Sequence, residues 1–210
     1  MTDLADLVTD TRVDLRIIAS LIEPGSRVLD IGCGAGELLE VLERSRRVDA
    51  RGIEISQKGV NAAVARGLAV IQGDADSDLS QYPDQSFDYV VLSETIQATH
   101  NARRVLEEML RIGRKVIVSL PNFGHFDVRF RLMFLGRMPV SKRLPYSWYD
   151  TPNIHFCTIS DFVALAHETG ATVEQAITLN AAGRKLSLPL PEWLANLFGA
   201  QGVFLLSRQH

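Results

Sequence analysis

The residues best suited to chemistry lie in one short stretch, Val28-Leu29-Asp30-Ile31-Gly32-Cys33-Gly34-Ala35-Gly36-Glu37. An apolar strand runs into alternating glycines and then a helix, so the backbone turns tightly and a ligand can approach main-chain atoms. The spacing is G-x-G-x-G rather than the dinucleotide G-x-G-x-x-G, and Asp30 stands two residues before Gly32. A buried carboxylate there repels a pyrophosphate on the helix N-terminus and suits a cation. Two further acids follow. Glu54 ends a second strand 18 residues beyond Gly36, where a carboxylate can accept hydrogen bonds from ribose hydroxyls. Asp74, after a third strand, can accept from an adenine amino group. Each has a plainer reading: Asp30 could bond only loop amides, Glu54 could be a solvated strand end, and Asp74 belongs to an acidic run with Asp76 and Asp78.

S-adenosylmethionine (SAM) fits that pattern, because it carries an ammonium and a sulfonium and no phosphate. Asp30, Gly32, Gly34, Gly36, Glu54, Asp74 and Ser93 are therefore the candidate cofactor-binding set, for SAM or S-adenosylhomocysteine (SAH). Methyl transfer from a sulfonium is a direct displacement in which positioning can dominate, so no metal is expected. The C-terminal ends of later strands would hold a methyl acceptor. There, Glu94 and His100 are weak candidates for a base, and His125 and His155 weaker ones. The bland reading of each histidine is a hydrogen-bonded loop residue. The Asn/Asp-Pro-Pro-Tyr/Phe motif of amine and amide methyltransferases is missing after strand four, and no convincing catalytic constellation emerges.

The elements that must position these residues alternate between strand and helix, the pattern of a doubly wound α/β fold with a mostly parallel seven-stranded sheet. Strands are expected over 28–31, 50–55, 68–72, 87–93, 114–120, 172–179 and 202–207. Helices are expected over 37–47, with Leu38, Leu39 and Leu42 on one face, and after Ser56, with Val60, Ala63 and Val64 inward. Further helices follow Asn101, with Val105, Met109 and Ile112 aligned, and span 158–169. Residues 183–196, with two prolines, read as a long connection.

The chain of 210 residues suits one domain, 1–210, with an insert at about 121–157. It is 46% hydrophobic and 22% charged with a formal net charge of -3, which gives no global attraction to nucleic acid or anionic membrane. No secretory signal and no apolar run of membrane-spanning length is visible. Cys33 and Cys157 can make neither a disulfide framework nor a four-cysteine zinc site, so a reducing, cytoplasmic setting is expected. Residues 121–150 hold five basic side chains (Arg129, Arg131, Arg137, Lys142, Arg143) against Asp127 and Asp150. Phe126, Phe130 and Phe134 recur at i, i+4 and i+8 beside Met133, a helical aromatic stripe. Burial in the core is the first expectation for that stripe; a lid over the cofactor and a protein-docking surface are the others.

The glycine loop, Glu54, Asp74 and the strand Phe87-Asp88-Tyr89-Val90-Val91-Leu92 together resemble class I SAM-dependent methyltransferases, which implies their Rossmann-like fold. The insert narrows the resemblance. Pro121-Asn122-Phe123-Gly124-His125, Gly136-Arg137-Met138-Pro139-Val140 and Trp148-Tyr149-Asp150-Thr151-Pro152-Asn153-Ile154-His155 look like the methionine biosynthesis protein MetW family, as do Gly52-Ile53-Glu54-Ile55 and Val70-Ile71-Gln72-Gly73-Asp74. That resemblance implies work beside a homoserine O-acyltransferase in methionine synthesis, as an accessory or regulatory subunit. A stand-alone methyltransferase acting on a small metabolite is the alternative.

Overall fold

In the computed structural model, residues 12–140, 144, 146–186 and 191–208 are described; Lys142, Arg143 and Pro189 lie outside them. Seven strands form one sheet: β1 Arg27–Ile31, β2 Asp49–Glu54, β3 Ala69–Gln72, β4 Phe87–Ser93, β5 Gly113–Pro121, β6 Ala171–Leu179 and β7 Gln201–Arg208. Their order is β3-β2-β1-β4-β5-β7-β6. The pairings from β3 to β5 are parallel, and β7 runs antiparallel to both β5 and β6. The chain leaves β1 toward β2 on one side and returns to β4 on the other. The carboxyl ends of β1 and β4 therefore flank the crevice where ligands bind in open α/β sheets.

Alternation along the strands divides the core in two. Val28 and Val91 point into one layer, with Ile18, Leu39 and Leu42 from helices α1 (Val13–Leu21) and α2 (Glu37–Arg46). Leu29, Val90 and Leu92 point into the other, with Leu106 and Met109 of α4 (Ala102–Ile112) and Phe162 of α6 (Ile159–Glu168). Helix α3 (Gln57–Ala65) is capped by Ser56, whose Oγ accepts from the Gly59 amide, and α4 by Asn101, which accepts from the Arg104 amide. Of the inward face expected for α3, Val60 and Ala63 are buried and Val64 is exposed.

Two expectations change. The 183–196 connection contains a helix, α7 (Glu192–Phe198): Pro191 lacks an amide hydrogen and so suits a helix start, where that donor would be unpaired anyway. The aromatic stripe does form a helix, α5 (Phe126–Leu135), but it is not core: only Val128 of its ten residues is buried. Both sheet faces are already covered by other helices, and α5 leaves the end of β5 beyond them. Its phenylalanines stay in solvent.

Candidate ligand-binding site

The turn after β1 is tied to its neighbour by two amides, Gly32 N and Cys33 N, which donate to the Ile53 carbonyl at 2.8 and 3.2 Å. All three loop glycines have positive φ. Gly36, at φ 81°, has the Leu68 side chain 2.3 Å from where a Cβ would stand. Gly34, at φ 56°, has nothing within 4 Å of that position and opens onto free space. The loop thus presents bare backbone on its outer side, as a closely bound ligand requires.

Glu54 holds this loop in place. Its Oε2 accepts from the Gly34 amide and its Oε1 from the Ser56 amide, both at 2.8 Å. Each carboxylate oxygen keeps a second lone pair, so the bonds to ribose hydroxyls expected of Glu54 remain available. The Gly73 amide donates to the Glu54 carbonyl, which brings Asp74 to the same end of the sheet. The acidic run around it is largely loop architecture. Asp74 Oδ1 accepts from the Asp76 amide; Asp78 accepts from the Asp74 amide and from the Ser77 hydroxyl, and those two bonds hold its carboxyl below the ordinary range. Asp76 receives the His100 and Asn101 amides at the start of α4.

Asp30 is the unusual group. It is 2% exposed, and its Oδ1 has no hydrogen-bond partner. Burial raises its pKa to about 8; the Arg12 charge pulls down and the Glu54 charge pushes up. A buried carboxyl with an orphaned oxygen favours its neutral form unless a cation arrives to pair with it. That matches the ammonium-bearing end of SAM, and the open space at Gly34 and the acceptors at Glu54 suit the rest of the molecule.

Sequence reasoning missed a second layer. Arg12 pairs with Asp14 at 2.5 Å and with Glu94 at 2.9 Å. Asp14 is 3% exposed. Ser93 Oγ lies 3.2 Å from Ser119 Oγ and 3.3 Å from the Arg12 guanidinium. Gln201, fully buried at the start of β7, donates to Glu94 Oε1 at 2.8 Å. Glu94 has a left-handed backbone at φ 53°, and its amide donates to the Ser119 carbonyl at 2.9 Å. Of the two base candidates, Glu94 therefore sits in this network, gripped by a guanidinium and an amide. His100 is exposed, and its amide serves Asp76. His125 caps α5, its Nδ1 accepting from the Asp127 amide, with burial lowering its pKa. His155 is exposed, with Nε2 3.4 Å from the His100 carbonyl. The only sequence signal for Arg12 and Asp14 was their place at the start of a helix, which is a common place for charges.

A cavity of about 710 Å³ lies elsewhere, between α6, β6, β7 and α7, lined by Ile159, Val173, Ile177 and Phe204. His167, Gln175, Thr178, Lys185 and Glu192 also line it, and none of the glycine-loop residues does. Among the described residues there is no cluster of His, Cys, Asp and Glu able to hold a metal, and no helix long and apolar enough to cross a membrane.

The sheet order and the glycine crevice define the fold of class I SAM-dependent methyltransferases. One from Thermotoga maritima superposes with a TM-score of 0.64 at 22% identity, covering 94% of this chain and 88% of that one. The profile of the family "Methionine biosynthesis protein MetW" matches residues 12–206, and the chain belongs to that family. The "Bifunctional methionine biosynthesis protein MetXA/MetW" of Rhodopirellula baltica is 35% identical over 174 residues, which is 79% of this chain and 28% of that protein. The chain thus spans little more than a quarter of that relative. The "Ubiquinone biosynthesis O-methyltransferase" of Aeromonas salmonicida is 29% identical over 160 residues, 71% of this chain and 64% of the relative.

Proposed function

We propose that this protein binds SAM at the glycine loop and acts in the cytoplasm as an accessory, regulatory subunit of a homoserine O-acyltransferase in methionine synthesis. The observation that carries the reading is the Rhodopirellula relative that joins MetXA and MetW in one chain. Covalent joining keeps two modules at high effective concentration, as suits modules that work together. The insert at 121–157 belongs to the same single domain and supplies its contact surface.

In this reading Asp30 pairs with the ligand's ammonium, Glu54 with its ribose, Asp74 with its adenine, and the glycines and Ser93 line the crevice. Glu94 supports a binding role over a catalytic one, because its carboxylate is engaged by Arg12 and Gln201 instead of facing an acceptor. SAM regulates only if it binds the active and inactive states of the complex with different affinities. The test is the acylation rate of the same organism's homoserine O-acyltransferase with and without an equimolar amount of this protein, each with and without SAM. A rise on adding the protein is expected, with a further change on adding SAM; no change in any arm overturns the reading.

The second reading, a stand-alone methyltransferase on a small metabolite, is favoured by the open loop at Gly34. SAH release from SAM on incubation with metabolite pools, with the acyltransferase absent, would support it. Tight SAM binding without turnover would count against it.

A further inference from the structure

Helix α5 exposes more apolar surface than its own fold can use. Phe126, Phe130, Met133, Phe134 and Leu135 are each between 50% and 73% exposed. The patch continues onto α7, where the Phe198 ring lies 6.1 Å from that of Phe126 and Trp193 is 65% exposed. Past the end of α5, Met138, Pro139, Tyr146 and Trp148 line one small hollow. Trp148 is 71% and Tyr149 74% exposed. Exposed apolar surface on this scale marks a binding face.

The chemistry of the patch selects among occupants. Its described residues are rich in Phe, Trp, Tyr, Met and Arg, and their only acids are Asp127, Asp150 and, on α7, Glu192, a composition like that of protein interface cores. A helix lying on an anionic membrane needs basic heads turned outward. Here Arg129 Nε donates to the Gly124 carbonyl at 2.5 Å and Arg131 Nε to Asp127 at 3.0 Å, so both are folded back onto the protein.

The patch is also wired to the ligand end. The Gln97 carbonyl accepts from the Ile154 and His155 amides at 2.7 and 2.9 Å, and its Nε2 donates to the Pro121 carbonyl at 3.1 Å. Gln97 follows Glu94 by three residues, and Glu94 is held by Arg12 beside the glycine loop.

We propose that α5, α7 and residues 146–156 form the face on which the acyltransferase partner docks. This rests on the accessory role proposed above, and the fused relative is what names the occupant. The partner's complementary face is apolar, with a carboxylate at its edge for the exposed Arg137. Gln97 then joins that face to the loop where SAM would bind.

The experiment titrates the same organism's homoserine O-acyltransferase with wild-type protein, with Phe130→Glu/Phe134→Glu, with Trp148→Ser/Tyr149→Ser and with Val64→Glu, which is exposed on α3 away from the patch. SAM affinity and melting temperature are measured for each. The expected result is partner affinity reduced tenfold or more in both patch variants, with SAM binding intact and Val64→Glu unchanged. Wild-type binding that both patch variants retain overturns the docking face and leaves the accessory role standing. If wild type does not bind the acyltransferase, both ideas fall. If the patch variants only convert a wild-type dimer to monomer, the occupant is a second copy and the proposal is overturned.

Discussion

The glycine-loop end of the sheet takes carboxyl groups out of water, whereas the segment after β5 leaves large apolar groups in it. Asp14, Asp30 and Glu54 are each less than 10% exposed, while Phe134, Trp148 and Tyr149 are each more than 60% exposed. Buried charge is costly unless a partner compensates it. Arg12 compensates Asp14, and loop amides compensate Glu54; Asp30 keeps one oxygen unmatched. Exposed aromatic surface costs little by itself but gains on burial, about 25 cal/mol per Å². In the proposed reading the first region takes a cation and the second an apolar surface.

The largest expected effect on the glycine-loop end is at Gly36. Gly36→Ala must accept a left-handed backbone and displace the Leu68 side chain, so urea unfolding should show a loss of roughly 2–4 kcal/mol. A loss below 1 kcal/mol would mean that the loop is softer than described. Next, Asp30→Asn keeps the shape and removes the charge. Calorimetry should find SAM bound more weakly by about 1.5–3 kcal/mol, the worth of a charge-assisted contact, while the ligand-free protein gains stability. Unchanged affinity would remove Asp30 from the site.

The pH dependence follows from the same group. Burial holds Asp30 protonated up to about pH 8 in the folded chain, while the unfolded carboxyl ionises near pH 4. Between those values the folded state binds the extra proton, so this group's contribution to stability is full below pH 4 and declines as pH rises toward 8. The slope is at most about 1.4 kcal/mol per pH unit. A cationic ligand needs the ionised form, so SAM affinity should rise over the same window with release of a proton. Asp30→Asn should flatten both trends, and equal slopes in wild type and variant would refute the assignment. The smallest effect belongs to the other region: Phe130→Ala should change the melting free energy by only about 0.5 kcal/mol, because Phe130 is 57% exposed. A loss of several kcal/mol would show that α5 is part of the core after all.

Much of this was legible in the chain. The apolar Val28, Leu29 and Ile31 before Gly32, the acid at the end of the second strand and the caps at Ser56 and Asn101 are local signals, each set by backbone conformation or by the period of the apolar residues. The strands expected from them agree with β1 to β7 to within about two residues at each end, the usual fuzziness of such ends. The α5 stripe was legible as a helix but not as an exposed one: periodicity shows which residues share a face, not whether another element covers it. Of the network of Arg12, Asp14, Ser93, Ser119 and Gln201 around Glu94, only Ser93 and Glu94 were legible as site candidates, and their pairing with the rest was not. Its members are separated by as many as 189 positions in the chain and meet only because β4, β5 and β7 are neighbours in the sheet.

The sequence by itself determined the alternation of elements, the glycine turn and the acids that face it, because these depend on φ, on side-chain period and on charge within a few residues. Only the tertiary structure decided that one oxygen of Asp30 lacks a hydrogen-bond partner, that Glu94 is gripped by Arg12 and Gln201, and that the aromatic helix faces water. Burial, orphaned polar atoms and free surface are properties of what the rest of the chain places alongside a residue, and strand order, not local propensity, sets that.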